Sequence, residues 1–338
     1  MVGATGPDKL SVVDMHTGGE PVRIIASGYP RIEGGSILEK RAWARDNLDH
    51  LRKMLIYEPR GHYDMYGVIP VEPSLPDADM AVLFIHNEGY STMCGHAVIA
   101  LGRYAVDQGL VQAREPTTIV RIECPCGLVT ASVAVKDGKA GAVSFESVPA
   151  FLFAQDCRVD LPGGRSIAFD IAYGGAFYAL ADCRQWGLAF GVSPVSDFVA
   201  AASALTAAVK RDHQVMHPDS ADLGFLYGSI LTDGGDGADR PTRNICVFAD
   251  AEVDRSPTGS GVTARLAAMR AKGRLELVER RWFESVTGAR FSGEIAGETV
   301  CGPHQAIIAR VGGRAFYSGK AEFWLEPEDE LGKGFLLK

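Results

Sequence analysis

Two rhythms of apolar residues run through this chain. Runs of strand length fill much of it, and a few longer stretches repeat apolar residues at spacings of three and four. Leu10 to Ala26 begins as a strand, breaks at Gly18-Gly19 and resumes at Val22-Arg23-Ile24-Ile25, which predicts a hairpin. Ser36-Ile37-Leu38-Glu39 has the form of a capping box, a hydroxyl and a carboxylate placed to satisfy free N–H groups. The helix it opens should run to about Leu55. Ile37, Leu38, Trp43, Leu48, Leu51 and Leu55 form its buried side; Lys40, Arg41, Arg45, Asp46, Arg52 and Lys53 form its wet side. Glu58-Pro59-Arg60-Gly61-His62 is a loop by its Pro and Gly. Strands are expected at 118–123, 128–135 and 143–145, and, after a crossing at Val148-Pro149-Ala150, at 151–159, 166–171 and 176–181. An Ala- and Val-rich helix should span Val195 to Lys210, followed by strands at 224–231 and 243–248 and short strands up to Trp324. The acidic tail Glu326 to Glu330 should pack loosely until Phe335-Leu336-Leu337.

Two stretches organise this pattern. Thr92-Met93-Cys94-Gly95-His96-Ala97-Val98-Ile99-Ala100-Leu101 follows the apolar run 81–85, and Ser256-Pro257-Thr258-Gly259-Ser260-Gly261-Val262-Thr263-Ala264-Arg265 follows the run 244–248. With Cys94 laid on Thr258, an offset of 164, Gly95 falls on Gly259, Val98 on Val262 and Ala100 on Ala264. Asp14 with Gly18-Gly19 recurs as Asp170 with Gly174-Gly175 at the similar offset of 156. The recurrence predicts two halves of one design, each with a strand, a loop and a helix. The helices should end near Gly109 and Gly273. A small residue of reactive type stands at each helix start, where outward N–H groups can bind an anion. The expected division is 1–148, rejoined by the tail 325–338, and 149–324, with the site in the cleft between.

Composition narrows the classes. A chain of 338 residues with 46% hydrophobic and 22% charged residues has room for two ordinary globular cores. A net charge of −8 argues against nucleic acid as a main partner. The first residues lack the form of a signal peptide, and no apolar stretch approaches bilayer length. Seven scattered cysteines suggest reduced thiols and a cytoplasmic setting.

Cys94 rises above the usual buried, idle cysteine, because a helix N-terminus favours a thiolate and Gly95 permits close approach. Cys124, Cys157, Cys183, Cys246 and Cys301 lie in or beside strand-like runs and read as core, and Cys126 as structural. Cys124-Pro-Cys126 lacks zinc spacing and a partner pair, so no metal is expected. His96, two residues along a helix from Cys94, should point away from it, which disfavours a cysteine hydrolase and suits a substrate contact. His213 and His217 have metal-ligand spacing but read as an exposed helix end. Asp254 is either a turn residue or a partner for an ammonium group. The glycine pairs are not a nucleotide loop.

Met93-Cys94-Gly95-His96 together with Asp254-Arg255-Ser256-Pro257-x-Gly259-x-Gly261 resembles the proline racemase family. The likeness extends to Val13-Asp14-Met15-His16-Thr17-Gly18-Gly19-Glu20-Pro21, to Glu58 through His62 and to Asp170 through Gly175. It implies an α/β (α+β) fold like that of diaminopimelate epimerase, two pseudo-symmetric domains each wrapping a bent, mostly antiparallel sheet around a central helix. It implies substrate contacts at Gly95, His96, Asp254, Gly259 and Ser260, a catalytic base at Cys94, no cofactor, a small-molecule substrate of the hydroxyproline type and a homodimer. Racemases and epimerases of the family carry a second Cys where this chain has Thr258, and Thr there marks the dehydratase members. The chemistry agrees. Inverting Cα takes two acid–base groups, whereas a Thr hydroxyl is far too weak an acid to shuttle protons. One base suffices if the carbanion expels a C3 hydroxyl, giving Δ1-pyrroline-2-carboxylate. The alternatives are a racemase or epimerase with an unidentified second acid, or an inactive amino-acid-binding protein.

Overall fold

A computed structural model describes residues 9–337. The chain opens with the hairpin β1 (Leu10–Thr17) and β2 (Glu20–Ser27), followed by α1 (Ile37–Ile56), β3 (Gly67–Val71), β4 (Met80–Ile85) and the short β5 (Tyr90–Ser91). Then come α2 (Gly95–Asp107), β6 (Thr117–Cys124), β7 (Gly127–Lys136) and β8 (Lys139–Glu146). The chain continues through β9 (Ala150–Leu161), β10 (Arg165–Tyr173), β11 (Phe177–Asp182), α3 (Val195–Asp212), β12 (Leu226–Thr232), β13 (Thr242–Phe248) and β14 (Glu252–Asp254). It ends with α4 (Gly259–Ala271), β15 (Arg281–Glu284), β16 (Arg290–Cys301), β17 (His304–Gly313) and β18 (Ala315–Phe323).

The predicted turn at Gly18-Gly19 forms because both glycines take positive φ, +64° and +90°, as a two-residue hairpin loop requires. The Ser36 capping box forms as read, with Ser36 Oγ accepting from Glu39 N–H and the Glu39 carboxylate accepting from Ser36 N–H. The wet side of α1 differs from expectation at two positions. Lys40 and Arg52 are buried because their long side chains reach backbone carbonyls across the helix. Lys40 donates to Glu72 O at 2.6 Å, and Arg52 to His86 O at 2.6 Å and Asn87 O at 2.9 Å. Polar heads satisfied in this way allow apolar stems to be covered. The C-terminal strands also differ. β16 and β17 are 12 and 10 residues long rather than short. They are lengthened by pairing with each other and by β17 reaching both β8 and β9.

Pairing joins β9, β10, β11, β12, β13, β15, β16 and β17 into a closed ring, since β17 returns to β9. Helix α4 lies inside it, against β9, β10, β16 and β17. A second run joins β18, β1, β2, β3, β4, β6, β7 and β8, and α2 packs against most of these strands. Both helices are buried almost all round, which suits their Ala, Gly, Val and Leu content. α4 carries one buried cation, Arg265, held by Asn244 Oδ1 at 3.0 Å and Thr242 Oγ1 at 2.7 Å. A separate core lies under α1. The acidic tail is exposed, and beyond it Phe335 pairs with Glu58 while Arg60 donates to Gly332 O and Trp324 O at 2.8 Å. No helix among the described residues is long and apolar enough to cross a membrane.

Candidate active site

Helices α2 and α4 meet start to start. A Cβ built on Gly95 would lie 2.5 Å from Gly259 Cα, and one built on Gly259 would lie 2.7 Å from Gly95 Cα. Only glycine fits on either side. Contact this close turns the unpaired N–H groups of both first turns toward one small space. Cys94, Gly95, His96, Asp254, Thr258, Gly259 and Ser260, all seven residues singled out in the sequence, line it. Tyr66, Met93, Tyr178, Tyr227 and Phe248 complete the wall. These five were missed because an aromatic or Met in or beside an apolar strand has the same signature as core. Only closure of the sheets turns them onto the helix starts. The enclosed space is about 10 Å³, too little for an amino acid, so a wall must move to admit one.

The neighbouring turns support the two helix starts. A Cβ on Gly18 would lie 3.3 Å from Ser256 Cβ, so the first glycine pair packs under the loop leading to α4. A Cβ on Gly175 would lie 2.7 Å from Met93 Cβ, and Thr92 Oγ1 donates to Gly175 O at 2.7 Å. The second glycine pair therefore packs under the loop leading to α2. Asp14 and Asp170, which precede these pairs, anchor them through Arg23 at 2.9 Å and Lys272 at 2.6 Å.

Cys94 is the N-cap of α2, with extended φ −146° and ψ 104°. Its Sγ lies 3.1 Å from His96 Nδ1. This corrects the expectation that His96 points away: helical angular spacing does not apply to a cap residue whose backbone is extended. His96 Nε2 donates to Pro21 O at 3.2 Å, which leaves Nδ1 with its lone pair toward the thiol. His96 O in turn accepts from Thr17 Oγ1 at 2.9 Å, so the first hairpin clamps this ring. Burial holds His96 neutral, lowering its pKa to about 3. A second expectation is reversed. Burial pushes the Cys94 thiol well above its ordinary value, the Ala97 N–H offsets this only in part, and the Asp254 and Glu20 carboxylates add to the rise. In this closed, desolvated space the helix N-terminus does not win.

Across the space Thr258 caps α4 with φ +66° and ψ 94°, a strained backbone for a β-branched residue. Its Oγ1 is buried beside the Asp254 carboxyl and the Cys246 thiol. Ser260 Oγ shares a hydrogen bond of 2.7 Å with Tyr178 Oη. Asp254, at the end of β14, accepts from Ser256 N–H at 2.7 Å. Burial raises its carboxyl to about 6, with the Ser256 and Thr258 hydroxyls and the Ser256 N–H pulling the other way. The buried Glu20 and Glu252 carboxyls are also pushed up, first by burial and then by neighbouring acids.

All seven cysteines are free, and Cys157 is half-buried rather than core because its strand β9 has an exposed stretch. His213 and His217 do not share a helix, since α3 stops at Asp212. Among the described residues His217, Asp219 and Cys301 bring their ligand atoms within 4.8 Å of one another, outside the lining of the helix-start space. There His217 Nδ1 accepts from Asp219 N–H at 3.2 Å. Its Nε2 therefore carries the proton and faces Cys301 as a donor, not as a ligand.

Comparison with known proteins matches residues 12–336 to the proline racemase family model. The chain is similar to the trans-3-hydroxy-L-proline dehydratase of Homo sapiens, 56% identical over 339 residues covering 98% of this chain and 96% of the human protein. It is also similar to the trans-L-3-hydroxyproline dehydratase of Xenopus tropicalis, 54% identical over 332 residues covering 97% and 95%. Among solved structures, a hydroxyproline epimerase from Agrobacterium vitis with bound trans-4-hydroxy-L-proline superposes with a TM-score of 0.91 at 29% identity, over 98% of this chain and 96% of that one.

Proposed function

The chain belongs to the proline racemase family, and we infer that it is a hydro-lyase that dehydrates trans-3-hydroxy-L-proline. The observation that carries this reading is the unequal pair of helix caps: Cys94 on α2 carries a thiol that can serve as a base, and Thr258 on α4 has no group that titrates near neutrality. A single base fits elimination and does not fit inversion.

The stereochemistry of the substrate agrees. In trans-3-hydroxy-L-proline the C2 hydrogen and the C3 hydroxyl both lie opposite the carboxylate, so one group on one face serves both. Cys94, ionised beside the positive charge of the substrate's ring ammonium, takes the C2 proton. The C2 carbanion forms the C2–C3 double bond as the C3–O bond breaks, and Cys94 returns its newly gained proton to the departing hydroxyl, which leaves as water. The enamine then tautomerises to Δ1-pyrroline-2-carboxylate. The first-turn N–H groups of Gly95, His96, Gly259 and Ser260 hold the carboxylate and the charge that develops on it at proton removal. Asp254 holds the ring ammonium; the ammonium's charge favours the ionised carboxylate and offsets the burial that otherwise protonates it. Thr258 Oγ1, beside the Asp254 carboxyl, offers a hydrogen bond to the opposite ring face. No step calls for a cofactor.

We also read the chain as two halves of one design that meet in this site. Supporting this are α2 and α4, each 13 residues long and related by the 164 offset, and the reciprocal packing of each glycine pair under the other helix's entry loop. The homodimer and the cytoplasmic setting rest on the resemblance and the cysteine usage, and sedimentation velocity tests the first.

NMR of the purified protein with trans-3-hydroxy-L-proline, trans-4-hydroxy-L-proline and L-proline, each alone, tests the function. Loss of the 3-hydroxy compound alone, with Δ1-pyrroline-2-carboxylate appearing, is expected. Inversion of either of the others without elimination would require a second acid at or near Thr258. Thr258→Cys supplies one, and it should bring deuterium from heavy water into C2 of L-proline.

A further inference from the structure

A larger cavity adjoins the closed site. Its volume is about 500 Å³, and its lining includes Arg41 and Arg45 of α1, His86, Lys210 of α3 and Tyr227. Tyr227 lines the helix-start space as well, so its side chain is a shared wall. Two polar atoms on this cavity's residues are buried without partners: His86 Nε2 and Arg41 Nε. The His86 ring is 3% exposed. Its Nδ1 accepts from the N–H groups of Glu88 at 3.3 Å and Gly89 at 3.4 Å, so Nε2 bears the ring proton and is a donor. Arg41 donates through Nη2 to Tyr90 O at 2.5 Å and keeps Nε unused. Buried donors left without acceptors are costly and mark a place where a ligand supplies the acceptor.

The charge of the lining has the same sense. Asp49 and Glu88 also face the cavity, but Asp49 is engaged by Arg52 at 2.5 Å and Lys53 at 3.3 Å. On the cationic side stand Arg41, Lys210 and Arg45, the last leaning on Asp46 at 2.9 Å. A pocket with unsatisfied donors and a cationic rim selects a small anion, and a guanidinium beside a ring N–H suits a carboxylate.

We propose that this cavity is a carboxylate-binding antechamber, in which Arg41 and the His86 Nε2–H receive the substrate's carboxylate before it passes the shared wall at Tyr227 into the space at Cys94. The anion site stands on its own geometry, whereas the identity of the amino acid rests on the function inferred above. The closed site needs such a stage: it holds about 10 Å³, and Tyr227 is the wall it shares with open volume.

The test is an NMR titration of protein labelled with ¹⁵N-histidine, with the His86 signal assigned by its loss in His86→Gln. Sodium acetate and L-proline should each move the His86 Nε2–H resonance saturably, and sodium chloride at matched ionic strength should not. Arg41→Gln should weaken acetate about tenfold, the loss of one charge-assisted pair. Should Arg41→Gln disturb the fold, Lys210→Gln on the exposed rim should weaken acetate by about threefold. With trans-3-hydroxy-L-proline, Arg45→Gln and Lys210→Gln should raise KM rather than lower kcat. An immobile His86 signal, an equal response to chloride, or acetate affinity unchanged in these variants would overturn the proposal. The acetate titration needs no turnover, so it stays decisive even if dehydration is not found.

Discussion

The two helix starts at the centre of this molecule have the same backbone task and unequal chemistry. Each caps a 13-residue buried helix, each faces the other across a glycine, and each presents free N–H groups to one space. Two residues beyond the cap, α2 has His96, whose ring lies 3.1 Å from Cys94 Sγ, and α4 has Ser260, whose hydroxyl is bonded to Tyr178. One side can therefore take up and pass on a proton, and the other can only donate or accept hydrogen bonds. An anion-binding frame can be built symmetrically while the acid–base function sits on one side, and that division separates elimination from inversion.

The largest expected effect comes from removing the acid–base side. Cys94→Ser keeps size and cap geometry but replaces the thiol with a hydroxyl too weakly acidic to act as base. Turnover measured by product NMR should fall by about 10²–10⁴-fold, with thermal unfolding nearly unchanged. A variant keeping more than about a tenth of the activity would show that the two sides differ less than the geometry says.

Asp254→Asn comes next and separates binding from stability. Losing the charged partner of the ring ammonium should lower kcat/KM by about 10- to 100-fold. In the wild type kcat/KM should itself fall as pH drops below about 6, where Asp254 takes up a proton. The stability effect has the opposite sense. Because burial raises the folded pKa from 3.8 to about 6, Asp254 favours the folded state below pH 3.8, and that contribution is lost as pH rises through 6. Above pH 6 the wild type carries a buried charge, so the Asn variant should gain up to about 2–3 kcal/mol there and little at pH 4. Urea unfolding at the two pH values reads this, and an equal effect at both would mean that Asp254 is not held protonated by burial.

Gly259→Ala tests the frame that the two sides share. Its Cβ would fall 2.7 Å from Gly95 Cα, and backbone cannot swing aside as a flexible side chain does. A loss of about 1–3 kcal/mol in urea unfolding is expected, with activity falling as the helix starts separate. Gly95→Ala should cost as much, because the contact is mutual.

Much of this was legible before any coordinates. The α1 cap, the glycine turn of the first hairpin and the two motif helices follow from local rules: a capping box, a Gly-Gly break, and a repeated Gly beside a small reactive residue; the lining positions Gly95, His96, Asp254, Gly259 and Ser260 came instead from the family resemblance. What escaped depends on distance in sequence. Lys40 and Arg52 of α1 are buried because carbonyls 32 to 35 residues away meet them. Tyr66, Tyr178 and Tyr227 line the site because separate strands converge there, and nothing in their own neighbourhoods distinguishes them from core. The His96 geometry was misjudged for a local reason: a cap residue belongs to the loop, so helical spacing counted from Cys94 fails. The thiol's rise reflects burial, which a helix-end argument cannot weigh.

The smallest effect gives the finest comparison, because it compares the backbones of the two caps without their chemistry. Cys94 has an ordinary extended backbone at φ −146°, and Thr258 stands at φ +66°. Replacing each by Ala and by Gly removes both functional groups and leaves only backbone preference. At position 94 Ala should be the more stable of the two by about 0.5–1 kcal/mol, since Gly loses more conformational freedom on folding. At position 258 the order should invert, with Gly ahead by about 1 kcal/mol, because a left-handed backbone crowds any Cβ. If Ala also leads at 258, the strain is absent and Thr258 is as relaxed a cap as Cys94. If the order inverts, Thr258 is held against its own preference, and its buried hydroxyl is presented to the site at a conformational cost that Cys94 does not bear.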